Sequence, residues 1–234
     1  MPNSRDLKTL LRPLLKRRRD LAFGQRSVFF SPLTHYVRGA VFIQRWSSAD
    51  FEVRTFAAQL FDGDNALNFG SNREQYHFMV HRSWRDDREG TSVELCEQLE
   101  RYSLPPVESI VGPCEHEKLP QYVDGCLPGC DPLRSPHFRF TAAVGACYFG
   151  KFDTAERLIA NIGKGNPYYP AGPITEEHKY HVFFWCRAAY LLQVLRTDRA
   201  RIPQLLHDWE AFTVKSLKLT KYWKPTPFPC DATS

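Results

Sequence analysis

Two consecutive runs decide the fold: Tyr36-Val37-Arg38-Gly39-Ala40-Val41-Phe42-Ile43-Gln44 and Phe51-Glu52-Val53-Arg54-Thr55-Phe56-Ala57-Ala58-Gln59-Leu60-Phe61. Both are rich in β-branched and aromatic side chains, which suit a pleated, half-buried surface. In the first, Val37, Val41 and Ile43 alternate with Arg38, Phe42 and Gln44; in the second, Phe51 and Val53 alternate with Glu52 and Arg54. A period of two is the mark of a strand. Near Thr55–Ala58 the apolar parity slips, and Phe56, Ala58 and Leu60 carry the pattern onward, the sequence form of a β-bulge. A third run follows, with Tyr76, Phe78, Val80 and Trp84 on one face and His77, Met79, His81 and Ser83 on the other. Joined by the polar Ser47–Asp50 and by a longer polar loop, the runs predict an antiparallel meander. Ser27 to Ser31 adds a short strand before it, stopped by Pro32. One face of such a sheet must be buried, and the flanking helices are the available cover.

Working outward, residues 5–22 predict a helix with an apolar stripe of Leu7, Leu10, Leu11, Leu14, Leu15 and Leu21. Pro13 kinks it, or a second helix starts with Pro13 in its first turn; Gly24 ends it. Thr91-Ser92-Val93-Glu94 reads as a capping box opening a helix through Glu100, stopped by Leu104-Pro105-Pro106. From His137 the period is helical. Phe140–Phe149 and Thr154–Ile162 form a hairpin turning at Gly150. Thr175 caps a long apolar helix to Leu195, and Ile202–Leu219 is the last helix. The fold expected is α+β: an N-terminal helix packed on a small antiparallel β-meander, followed by a helical C-terminal half of two α-hairpins. The boundaries expected are an α+β domain at 1–110, an irregular linker segment at 111–137, a helical hairpin domain at 138–220 and a disordered tail at 221–234.

The 234 residues are 43% apolar, enough for a sizeable core rather than disorder. No apolar run reaches the length of a membrane span, and no secretory signal is visible at the N-terminus. Seven cysteines, an odd number without a framework spacing, point to a reducing, cytoplasmic compartment. The net charge of +5 is local: residues 1–26 hold eight of the 31 Lys/Arg and two of the 26 Asp/Glu, a net +6, which leaves −1 for the rest.

The stretch from Pro13 to about Val123 resembles an uncharacterised bacterial α+β family, a domain of unknown function. The resemblance rests on Pro13-Leu14-Leu15, Phe23-Gly24, the Phe42-Ile43-Gln44 and Phe51-Glu52-Val53 strands, and Leu104-Pro105. It implies fold rather than activity; small bacterial domains of this look often serve as immunity or adaptor proteins. Residues 139–167 resemble one tetratricopeptide-type hairpin. Ala143, Gly150, Ala155, Ile159 and Pro167 stand where that repeat places small, turn, small, bulky and terminating residues. Arg139 and Ala142 replace its usual tryptophan and leucine, and no second copy follows. A single hairpin cannot bury its own face, so it must pack on other helices or on the sheet.

Several residue sets suggest chemistry. Cys114, His116, Cys126 and Cys130 form C-x-H-x₉-C-x₃-C in the least periodic segment, where a structural zinc with four N/S ligands would help; the alternative is unrelated loop cysteines. Gly145–Lys151 spells most of a phosphate-binding loop, but Phe152 replaces the magnesium-binding hydroxyl and the stretch continues a helix. His77 and His81, four apart on a strand, would stand about 13 Å apart, too far to share an ion. His178 and His181 with Glu177 read as cap and surface residues. Asp62-Gly63-Asp64-Asn65 lacks the glycine and glutamate of a calcium loop.

The exposed feature that points to a partner is basic. Lys8, Arg12, Lys16 and Arg19 recur on one helix side, with Arg17 and Arg18 beside them. A positive helix face attracts an acidic protein surface or nucleic acid, unless it is only the solvated back of a core helix. The function expected is a non-catalytic protein-binding module of immunity or adaptor type, contacting an acidic partner through Lys8, Arg12, Lys16, Arg17 and Arg19. The alternatives are a nucleic-acid-associated protein using the same helix, and an enzyme with a pocket between the halves near His77, His81 or Asp86. No cofactor is expected beyond the zinc considered above.

Overall fold

The computed structural model describes residues 3–24, 26–44, 51–63, 77–80, 86–108, 135–163 and 167–233. The fold is α+β. Strands β1 (Leu21–Gly24), β2 (Ser27–Phe30), β3 (Tyr36–Gln44), β4 (Phe51–Gln59) and β5 (His77–Val80) form one antiparallel sheet in sequential order. The β3–β4 ladder runs unbroken from Tyr36↔Gln59 to Gln44↔Phe51. The bulge expected near Thr55 is therefore absent from this pair.

The parity slip has another cause: both faces of the sheet are covered. On one face Val28, Phe30, Ala40, Phe42, Phe51, Val53 and Val80 pack with leucines of the N-terminal helices and with Leu95, Leu99 and Leu104. On the other, Phe29, Val37, Val41 and Phe56 pack with Val214, Leu217 and Leu219 of the C-terminal half. A strand buried on both sides has no reason to keep strict alternation. Gly39 sits where β2 comes closest; a Cβ there would lie 2.0 Å from the Val28 carbonyl oxygen and 2.7 Å from Phe29 Cα. Only glycine permits that approach.

The N-terminal helical stretch is two helices, α1 (Ser4–Leu10) and α2 (Arg12–Arg17). Asn3 caps α1, its Oδ1 accepting from the Arg5 and Asp6 amides at 2.9 Å. Pro13 has no N–H to offer Thr9, and the helical bonding resumes when Leu15 N–H donates to Leu11 O at 3.0 Å. The chain leaves α2 at Arg18 and Leu21–Gly24 becomes β1, not the end of a longer helix. Leu7, Leu10, Leu11 and Leu14 are buried. Each contributes roughly 1.5–3 kcal/mol relative to exposure, which holds two helices of six or seven residues that would not be stable alone.

The next helix, α3 (Arg88–Gln98), starts before the expected capping box: Asp87 caps it, accepting from the Gly90 amide at 2.8 Å. It passes through a π-turn (Leu99–Ser103) into α4 (Leu104–Glu108). The Pro105-Pro106 pair does not stop it, because the wide turn places both prolines in a first helical turn, where their missing donors are not needed.

The helical half contains α5 (Pro136–Tyr148), α6 (Phe152–Ile159), α7 (Phe184–Thr197) and α8 (Ile202–Ser216). Gly150, at φ +72°, turns the α5–α6 hairpin. Thr175 caps a short 3₁₀ turn (Glu176–Tyr180), and the long helix begins only at Phe184. These helices share a core of Phe140, Val144, Cys147, Ile159, Leu191, Leu195, Leu206 and Trp209, joined by Phe61, Phe228 and Cys230. The expected disordered tail is instead packed. Leu33 N–H donates to Tyr222 O at 2.8 Å, Lys224 N–H to Leu33 O at 2.9 Å, and Phe228 and Cys230 are buried. Among the described residues, no helix is long and apolar enough to cross a membrane.

Candidate partner-binding face

The buried leucines fix which side of α1 and α2 faces water. Opposite them Arg5, Lys8, Arg12 and Lys16 lie one turn after another, and with Thr9 and Leu15 they line an open groove of about 370 Å³. Arg5, Lys8, Arg12, Lys16 and Arg19 are exposed and join no ion pair among the described residues. Arg17 differs from the rest of the predicted set: its Nη2 lies 2.7 Å from Glu100 Oε2 of the neighbouring helical segment. Arg18 is half-buried and also paired, 2.7 Å from Asp20 and 3.1 Å from Glu108, with its guanidinium 5.8 Å from the Phe30 ring centre. The hydrogen bond from Arg18 holds the Asp20 carboxyl below its ordinary value. The basic segment thus divides into cations paired with carboxylates of the chain and cations with no such pair among the described residues. Arg5 joins the second group, a member that the four-residue spacing of Lys8, Arg12 and Lys16 did not show.

A second exposed feature is apolar. Val182 and Phe183 are 59% and 50% exposed, and Tyr168 and Tyr180 stand out beside them. The Tyr168 and Phe183 rings lie 5.8 Å apart. The segment is fastened from below by buried Arg187, whose Nη1 donates to His181 O at 2.8 Å and to Val182 O at 3.2 Å.

The most concentrated buried polar cluster was not read from the sequence. His35, 5% exposed, places Nδ1 2.9 Å from Oε1 of Glu210, which is fully buried. Its Nε2 meets Thr226 Oγ1 at 3.0 Å and Pro227 O at 3.3 Å. The Phe228 ring lies between His35, at 4.3 Å, and His207, at 4.4 Å. His207 in turn pairs with Asp231 at 3.0 Å. Burial, with Tyr148 and Glu210 nearby, pushes the Tyr36 phenol well above its ordinary value. Both His–carboxylate pairs look like acid–base machinery, yet both fasten the C-terminal segment. One signal existed: Glu210 follows Leu206 by four residues and precedes Thr213 by three, so it falls on the apolar stripe of α8.

The remaining predicted sets are placed as follows. Cys114, His116, Cys126 and Cys130 lie outside the described residues, and no metal-binding cluster occurs among those described. Gly145–Tyr148 is helical and Gly150-Lys151 is the hairpin turn, so no phosphate loop forms there. His77 is in β5, His81 lies outside the described residues, and Asp86 is exposed. His178 Nδ1 accepts from the Thr175 amide at 3.0 Å as part of a cap. No family model matches the chain, and no curated protein or solved structure matches it.

Proposed function

We propose that this protein is a non-catalytic binding module of immunity or adaptor type, acting in a bacterial cytoplasm, whose outward basic face recognises an acidic surface on another protein. The observation that carries this reading is the division among the N-terminal cations. Arg17 and Arg18 have carboxylate partners within the fold, whereas Arg5, Lys8, Arg12 and Lys16 line a groove without any among the described residues. A cation turned outward contributes little to stability and much to steering and to partner choice. The exposed Tyr168, Tyr180 and Phe183 add aromatic side chains of the kind that anchor protein interfaces.

The test is affinity capture from the native host by the intact chain and by an Arg5→Gln, Lys8→Gln, Arg12→Gln, Lys16→Gln variant, each with and without nuclease. The expected result is one stoichiometric protein that survives nuclease and is lost with the variant. Nucleic acid on the intact chain, with capture abolished by nuclease, would favour the nucleic-acid alternative. Equal capture by both chains would remove the basic face from the account.

A further inference from the structure

We infer that the α1–α2 groove takes an acidic helical segment carrying carboxylates on successive turns and an apolar side chain between them. This rests on the proposed recognition of an acidic protein surface and specifies its chemistry. Arg5 and Lys8 are three residues apart in α1, and Arg12 and Lys16 are four apart in α2, so within each helix the cations recur about once per turn, roughly every 5.4 Å. Carboxylates four residues apart on a facing helix repeat at the same interval.

The floor of the groove argues for the apolar side chain. Leu15 is half-buried there, and the stems of Arg5, Lys8, Arg12 and Lys16 are aliphatic. Thr9 adds no free donor, because its hydroxyl already donates to Arg5 O at 2.9 Å. A floor of hydrocarbon under a rim of cations is satisfied neither by a fully charged strand nor by a fully apolar one. The groove is open to solvent, and at about 370 Å³ it has room for one branched apolar side chain.

The test uses three defined probes with the full chain, read by fluorescence anisotropy at low and physiological salt. The first is a helical peptide with glutamates one turn apart and a leucine on the same face; the second replaces that leucine with glutamine; the third is a single-stranded thymidine oligonucleotide. The first peptide should bind about tenfold or more tighter than the second, the factor expected for burying a leucine. Leu15→Gln should erase that difference, and the four-glutamine variant should abolish binding of both peptides. Because the leucine is also varied in the peptide, a folding defect of Leu15→Gln would not decide the result. Equal binding of both peptides overturns the apolar contact while the acidic-surface reading stands. Tighter binding of the oligonucleotide than of either peptide overturns both.

Discussion

The junction around His35 and the outer face of α1–α2 handle charge in opposite ways. At the junction, His35 meets Glu210, Thr226 and Pro227, and His207 meets Asp231, all within the chain. On the outer face, four cations line a groove with no carboxylate among the described residues to meet them. Burying a charge without a partner costs several kcal/mol, so a buried ionisable group with partners is explained by the fold itself. An exposed cation is solvated by water and needs no partner within the fold, which leaves it available to a partner outside it. The proposed function therefore rests on the surface lysines and arginines, whereas the two histidines have a structural role that the fold accounts for.

The largest expected effect is at the junction. His35→Ala leaves the Glu210 carboxyl fully buried with neither oxygen bonded, since Oε2 already has no partner. The loss should be about 3–5 kcal/mol, read as a lowered urea midpoint. A double His35→Leu, Glu210→Leu variant should lose clearly less than the sum of the single losses. An additive double variant would show that the two groups do not act as a pair. Phe228→Ala should cost about 3 kcal/mol by opening a cavity between the two imidazoles. If its urea midpoint stays at the native value, the tail is not the tie described here.

A smaller effect is expected with pH, and it comes from the same region. Burial pushes the Cys230 thiol up to about 12 from an ordinary 9.0, and Cys147, beside it, is raised further. Between these values the unfolded chain releases protons that the folded chain retains. Stability from these thiols is therefore fully present below pH 9 and is lost as pH rises toward 12. Urea midpoints measured from pH 8 to pH 10.5 should fall, and a Cys147→Ala, Cys230→Ala variant should fall less steeply. Parallel slopes for the two proteins would place the alkaline loss elsewhere, Cys96 and Cys186 being the other thiols that burial raises.

The elements that were legible in the sequence are those whose cause is local. The β3 and β4 runs, the leucine stripe of α1–α2 and the Gly150 turn each follow from residues within a few positions of one another. The rest depends on distant partners. The four residues of β1 are too few to show a period. The second covered face of the sheet turned a normal two-sided strand into an apparent bulge. Phe228 and Cys230 are isolated apolar residues among prolines, and their burial depends on His35, His207 and the helical core. The His35–Glu210 contact joins residues 175 apart in sequence. Of the candidate site, the spacing of Lys8, Arg12 and Lys16 was legible, but the pairing of Arg17 required knowing where Glu100 lies.

The smallest expected effect on stability tests the central claim most directly. Each substitution in the Arg5→Gln, Lys8→Gln, Arg12→Gln, Lys16→Gln variant should change stability by no more than about 0.5 kcal/mol, as exposed substitutions without partners do. Measured in parallel, the variant's capture of an acidic protein partner should be lost. An unchanged urea midpoint together with lost capture is the predicted result. Retained capture would remove these cations from partner binding, and a midpoint that falls in step with capture would show that they serve the fold and not a partner.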